Sequence, residues 1–202
     1  EFRRVLFRSV GAKDDIIGTA PVKKLAAHLI VAFILVMMAN IRITSMHGLF
    51  GIHELNEWAS VFLSVFAYTV IVNAINLIDG LDGLAAGVSA IVCIAFGTWF
   101  FLAGGIENAC LSFALGGALI GFLFFNFSPA KIFMGDSGSL TIGLILSVLS
   151  IKLIEFERTE LPTELMQTSV PVFTMAALSY PLTDTLRVFV YRAIREIGRA
   201  HV

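Results

Sequence analysis

Asn76, Asp79 and Asp82 fall at intervals of three in Asn76-Leu-Ile-Asp79-Gly-Leu-Asp82-Gly, between two long apolar runs. A carboxylate at the end of an apolar run is costly unless it pairs, binds a cation or faces water, so two on one short turn point to chemistry. The pattern recurs: Asp14-Asp15 precede one apolar run, and Phe133-Met-Gly-Asp136-Ser-Gly precedes another. Such residues suit a magnesium and phosphate site. Magnesium takes one or two carboxylates, keeps some water and completes its shell with substrate phosphate oxygens, so no closed protein cage is required. Gly80, Gly83, Gly135 and Gly138 let the backbone turn sharply and approach a phosphate closely.

The elements that must position these residues are membrane helices. Hydrophobic residues make up 57% of the 202-residue chain and charged residues only 14%, which lies outside the range of an ordinary soluble domain. The net charge of −1 gives no case for nucleic acid. At about 20 apolar residues per span, hydropathy predicts an all-α, polytopic integral membrane helical bundle of about six transmembrane helices: 22–39, 58–74, 84–103, 109–127, 140–154 and 170–191. The last carries Pro181 and Asp184. Gly83 with Gly87, and Gly117 with Gly121, have the small-residue spacing that lets helices approach; bundle packing is the main reading and a homodimer interface the minority one. Trp58, Trp99 and Tyr191 read as interfacial anchors. Cys93 and Cys110 read as buried small hydrophobes, and His28, His47 and His53 show no ligand spacing.

Threading the chain through six spans sorts its charges. Lys13, Lys23, Lys24, Lys131, Arg187, Arg192, Arg195 and Arg199 fall on one side, and Arg42, Lys152 and Arg158 on the other. The richer side should be cytoplasmic. That topology places Asp14, Asp15, Asp79, Asp82, Asp136 and Asp184 at the cytoplasmic face, while Glu54, Glu57, Glu107, Glu155, Glu157, Glu160 and Glu164 fall in exterior loops as solvated surface.

Three segments follow. Residues 1–9 and 196–202 break the pattern of the neighbouring sequence and read as non-native linker and tail. Residues 10–195 read as one partial transmembrane domain.

Asp14-Asp15, the Asn-Ala-Ile-Asn-Leu-Ile-Asp-Gly-Leu-Asp-Gly-Leu run from Asn73, Asn126-Phe-Ser-Pro-Ala-Lys-Ile-Phe-Met-Gly-Asp136-Ser-Gly-Ser and Pro181-Leu-Thr-Asp-Thr-Leu-Arg187 together resemble the polyprenyl-phosphate N-acetylhexosamine-1-phosphate transferases, in order and spacing. The resemblance implies transfer of a sugar phosphate from a UDP-sugar to undecaprenyl phosphate with release of UMP. The enzyme would be a magnesium-dependent phosphoglycosyl transferase, with manganese as a substitute, at the cytoplasmic face of the bacterial inner membrane. The third and fourth motifs look more like the branch using UDP-N-acetylglucosamine than the one using the muramoyl-pentapeptide nucleotide, which stays as the alternative. By the same resemblance Asp136 and Asp79 hold the metal. Asp14 and Asp15 sit near the lipid phosphate, to orient it or act as base. Orientation is favoured, because a phosphate monoester is already largely ionised at neutral pH. Repulsion between the paired carboxylates calls for a cation or for Lys23 or Lys24 nearby. Asn76, Asp79 and Asp82 match nucleotide positions, and Asn126 and Phe133 match uracil positions. Lys131 is a phosphate contact or simply obeys the positive-inside rule. Arg187 contacts substrate, holds an anionic headgroup, or pairs with Asp184 at i+3. The family's first helices and its later histidine-rich loop have no counterpart in the sequence, so activity is expected of a longer parent protein.

Two rivals of other classes account for less. A proton- or cation-coupled transporter should place carboxylates at several depths, whereas these gather at one face. A membrane scaffold explains the glycines and leaves the aspartates without a role.

Overall fold

The computed structural model describes residues 21–156 and 169–199, and among them the regular structure is helical. Seven α-helices follow one another: α1 (Pro21–Met38), α2 (Glu57–Ile78), α3 (Leu84–Leu102), α4 (Ile106–Asn126), α5 (Gly135–Ile154), α6 (Val170–Ala177) and α7 (Ser179–Arg199). Helices α2 to α5 are each long and apolar enough to cross a membrane, and Lys24–Met38 is a shorter apolar helix. Both faces of these helices are apolar. Ile75, Phe96, Phe100, Leu146 and Leu149 are buried, while Phe62, Ile91 and Phe124 point outward, as helices surrounded by lipid require.

Helix α3 packs along α4, and α2 packs along α5; α1 and α7 lie against α2. The tightest approach of α2 to α5 is at Gly143, where an added Cβ would stand 2.9 Å from Val72 Cα and 3.3 Å from Val72 O. Only a residue without a side chain lets two helix backbones come that close. The α3–α4 pair uses Gly97 under the Phe113 ring and Gly116 against Cys93 Cβ. These three glycines do the packing. Gly87, Gly117 and Gly121 have no atom within 4 Å of an added Cβ, contrary to the expectation from spacing, because the 3.6-residue turn points them outward.

The expected sixth span is two helices. The chain breaks at Leu178, between α6 and α7. Pro181 lacks an N–H for the Ala177 carbonyl and its ring crowds that oxygen, so one continuous helix cannot form. Trp99 is buried, edge-on to Phe100 and Phe156, and so is a core residue rather than an interfacial anchor. Cys93 is buried as expected, whereas Cys110 is exposed.

At one end of the bundle, the segment between α1 and α2 folds back as a hairpin held by an antiparallel bridge from Ser45 to Glu54. Ile43 donates its N–H to Ser64 Oγ at 2.8 Å, and its carbonyl accepts from Ser60 Oγ at 2.6 Å. The Glu155 carboxylate, expected as solvated surface, instead accepts from Thr44 N at 2.7 Å, Ser45 N at 3.3 Å and the Thr44 hydroxyl. His47 reaches the Ile154 carbonyl at 2.6 Å. The hairpin thus satisfies its own backbone groups, which lipid would not.

Replacing Gly143 by Ala should force α2 and α5 apart and cost about 1–3 kcal/mol, the usual range for overpacking a tight core. Thermal unfolding in detergent checks this; an unchanged midpoint would mean that the approach is not tight in solution.

Candidate active site

Helix α2 extends to Ile78 and α5 begins at Gly135, so Asn76 and Asp136 both stand on helices rather than on loops. On these antiparallel helices Asn76 lies one turn beyond the Val72–Gly143 approach and Asp136 two. Asn76 Nδ2 donates to Asp136 Oδ1 at 2.7 Å and to Ser139 Oγ at 2.8 Å. The other oxygen, Asp136 Oδ2, pairs with Lys24 Nζ from the first turns of α1. The Lys24 and Asp136 side chains are only 19% and 23% exposed, so the pair is partly shielded from solvent and screened less than a surface pair. Asp136 is in the first turn of α5, where the helix dipole favours a negative charge.

Next to this cluster, the α2–α3 turn and the α4–α5 loop are knitted together. Gly83, at φ +75°, caps α3 and donates its N–H to Asn126 Oδ1 at 3.1 Å. Asn126 Nδ2 donates to the Ile132 carbonyl at 2.9 Å, and Asp82 Oδ2 accepts from Ala130 N at 3.1 Å. Asn126 is only 4% exposed. Its amide is therefore engaged at both ends with backbone, a staple between two loops.

The remaining candidates are placed as follows. Asp79 is the C-cap of α2, its N–H directed at the Asn76 carbonyl; Asp82, one turn on, is exposed. Phe133 is 77% exposed, its ring face open for stacking. Lys131 is exposed, with its backbone N–H on the Phe125 carbonyl at 2.8 Å. Arg187 pairs with Asp184 at 3.4 Å, the i+3 contact weighed above. Asp14 and Asp15 lie outside the described residues. Ser139, which the sequence did not single out, is fully buried beneath Asn76; its one signal was a position three residues after Asp136, on the same helix face. Lys24 was expected beside Asp14 and Asp15, and its contact with Asp136 spans 112 positions, beyond the reach of local pattern.

No group of three or more His, Cys, Asp or Glu gathers among the described residues. A magnesium ion bound largely through substrate phosphate does not need one. Asp136 is the carboxylate here, its two oxygens facing Asn76 Nδ2 and Lys24 Nζ, and Asn76 Oδ1 receives no hydrogen bond among the described residues.

Apolar helices crossing a membrane, with a carboxylate, an amide and a lysine converging at their ends, define a multi-pass membrane protein with a polar site at one end of its bundle. A sequence model described as "Glycosyl transferase family 4" matches residues 3–154, and the chain belongs to that family. It is similar to the phospho-N-acetylmuramoyl-pentapeptide-transferase of Lactobacillus acidophilus, 40% identical over 148 residues, 68% of this chain and 43% of the relative. It is 57% identical over 82 residues to the protein of that name in Prochlorococcus marinus, 39% of this chain and 23% of the relative. A Bacillus subtilis protein named "Probable undecaprenyl-phosphate N-acetylglucosaminyl 1-phosphate transferase" is 48% identical over 94 residues, 46% of this chain and 26% of the relative. The chain spans less than half the length of these curated relatives.

Removing the Asn126 amide tests its role as a staple. Asn126→Ala leaves the buried Gly83 N–H unpaired, at about 1–3 kcal/mol, and should lower the unfolding midpoint in the absence of nucleotide. A variant that unfolds normally but no longer binds UMP would return Asn126 to the role of a ligand contact.

Proposed function

We propose that the parent protein transfers N-acetylglucosamine 1-phosphate from its UDP-sugar to undecaprenyl phosphate, releasing UMP, at the cytoplasmic face of a bacterial inner membrane. The observation that carries this reading is the convergence of Asp136, Asn76 and Lys24 from three helices at one end of the bundle. Beside it stand an exposed aromatic ring, Phe133, and an exposed cation, Lys131. The choice of sugar rests on the Pro129-Ala-Lys-Ile-Phe-Met-Gly-Asp136 and Pro181-Leu-Thr-Asp-Thr-Leu-Arg187 forms. The relatives carry both names, which makes the muramoyl-pentapeptide nucleotide the second substrate to assay.

Asp136 and the oxygen of Asn76 would hold magnesium, with Asp79 one helical turn away. When bound, the ion neutralises charge on the nucleotide diphosphate as its bond to UMP breaks. Lys24 holds the Asp136 carboxylate in place and sets a positive charge where diphosphate oxygens would arrive. Asp82 keeps one oxygen on Ala130 N and turns the other toward solvent, available to nucleotide hydroxyls or amides. Phe133 stacks on the base, and Asp14 with Asp15 orients the lipid phosphate for attack on the sugar-bearing phosphorus.

An apolar cavity of about 240 Å³ opens between α2, α5 and α6, lined by Ile43, Phe66, Ala67, Val70, Pro171 and Met175. The hydroxyls of Ser150 and Thr174 in its wall are turned away onto the Leu146 and Val170 carbonyls. Its chemistry fits part of an isoprenoid chain. Ala67→Trp, which fills it, should raise KM for the polyprenyl phosphate and leave KM for the UDP-sugar unchanged; equal KM values for the lipid would exclude the cavity from substrate binding.

The central test is magnesium-dependent transfer of labelled sugar phosphate by the full-length protein, with each UDP-sugar in turn. Asp136→Asn and Lys24→Met should each reduce turnover by about 100-fold or more, the scale of losing one preorganised charged contact. A full-length protein that binds neither UDP-sugar nor UMP ends the transferase reading; turnover of the pentapeptide nucleotide alone changes the branch and keeps the chemistry.

A further inference from the structure

Helix α5 carries the candidate site in its first turn and a second carboxylate at its other end. Glu155 is the C-cap, where the helix dipole favours a cation and a carboxylate is the less favourable choice. Its oxygens are spent on the hairpin: one accepts from Thr44 N at 2.7 Å and Ser45 N at 3.3 Å, the other from the Thr44 hydroxyl. The Ile154 carbonyl beside it accepts from His47 Nε2 at 2.6 Å. Three side chains of the hairpin segment, Ile43, Met46 and Leu49, form one wall of the apolar cavity between α2, α5 and α6. Ile43 is held on α2 by Ser60 and Ser64. Met46 and Leu49 are held less directly, because their backbone N–H groups bond within the hairpin, to the His53 and Met46 carbonyls, each at 2.9 Å. Among the described residues, the polar contacts that tie this part of the hairpin to a helix are those of Thr44, Ser45 and His47 with the end of α5.

At 1.5 Å per helical residue, Glu155 stands about 28 Å along α5 from Asp136, nearly the thickness of a bilayer core of about 30 Å. It is too far from the candidate site to touch nucleotide or phosphate. A long polyprenyl chain anchored there by its phosphate does cross that depth. We infer that Glu155 is a positioning residue for the lipid substrate: it pins the hairpin to α5, so that Met46 and Leu49 close the cavity in which part of the polyprenyl tail seats. This rests on the polyprenyl reading of the cavity proposed above. Without the carboxylate, the Thr44 and Ser45 N–H groups lose their acceptor at the edge of the apolar layer. They regain one only if the hairpin shifts toward water, and that shift carries Met46 and Leu49 off the cavity. Neither the charge nor a proton of Glu155 enters the reaction; what it supplies is a fixed apolar wall.

The test is steady-state kinetics of the full-length protein with undecaprenyl phosphate and the UDP-sugar that it turns over. Glu155→Ala should raise KM for undecaprenyl phosphate about 10-fold, what about two methylenes are worth when they lose an apolar wall, with kcat and the KM for the UDP-sugar unchanged. Glu155→Gln keeps an oxygen for the two backbone N–H groups, and its NH2 group can donate to the Thr44 hydroxyl, so it should hold close to the parental KM. In the Ala67→Trp protein, whose cavity is filled, Glu155→Ala should change the lipid KM by less than about 2-fold, since two changes that act through one cavity are not additive. A parental lipid KM in folded Glu155→Ala overturns the inference, as do a rise in both KM values, a Gln variant as weak as Ala, or an undiminished effect in the Ala67→Trp protein. Failure of Glu155→Ala to fold also overturns it, in favour of a purely structural carboxylate. A parental lipid KM in Ala67→Trp alone brings down the cavity reading itself, an outcome distinct from the others.

Discussion

The approach of α2 to α5 at Val72 and Gly143 is the constraint on which the candidate site depends. The helices are antiparallel, so one turn beyond Val72 on α2 faces one turn before Gly143 on α5. Those positions are Asn76 and Ser139, with Asp136 one turn further along α5. Had residue 143 carried a side chain, the helices would separate by the thickness of a methyl group. Hydrogen bonds of 2.7 and 2.8 Å could not then form without lateral slip. A packing requirement deep in the apolar layer therefore governs the geometry of polar groups at its edge, because close-packed helices transmit displacement along their axes.

Polar groups behave differently at the two ends of the bundle. At the hairpin end, Ser60, Ser64, Thr44 and Glu155 spend their hydrogen bonds on the chain itself. At the other end some are left over among the described residues: Asn76 Oδ1, the second oxygen of Asp82, the Lys131 side chain and the Phe133 ring. An end whose polar groups are turned onto the chain serves the fold, since an unmade hydrogen bond there costs stability and gains nothing. An end with oriented acceptors, a cation and an aromatic face suits a ligand that is anionic at one part and planar at another. Asn126 is the instructive exception, because it sits among the second group and behaves like the first.

Lys24 and Asp136 illustrate how charge is tolerated at a membrane edge. Each is mostly withdrawn from solvent, and each would be costly alone. Together, with the Asn76 amide on the remaining carboxylate oxygen and the α5 dipole behind it, they form a satisfied unit. That unit comes from α1, α2 and α5, so its integrity reports on the packing of the bundle as well as on its chemistry.

The sequence alone determined the helical membrane architecture and the four motifs. Hydropathy over 20 residues and the cost of an intramembrane carboxylate are local properties that any reader of the chain can sum. It also supplied Asp136, Asn76 and Phe133 as candidates, since their neighbours formed recognisable runs. What it could not supply was which glycines pack, because Gly117 and Gly143 look alike until the helices are rotated against each other. Nor could it show that Asn126 is spent on backbone, or that Lys24 and Ser139 complete the cluster. Those outcomes depend on contacts between residues 43 to 112 positions apart and on the azimuth of each helix, which only tertiary packing decides.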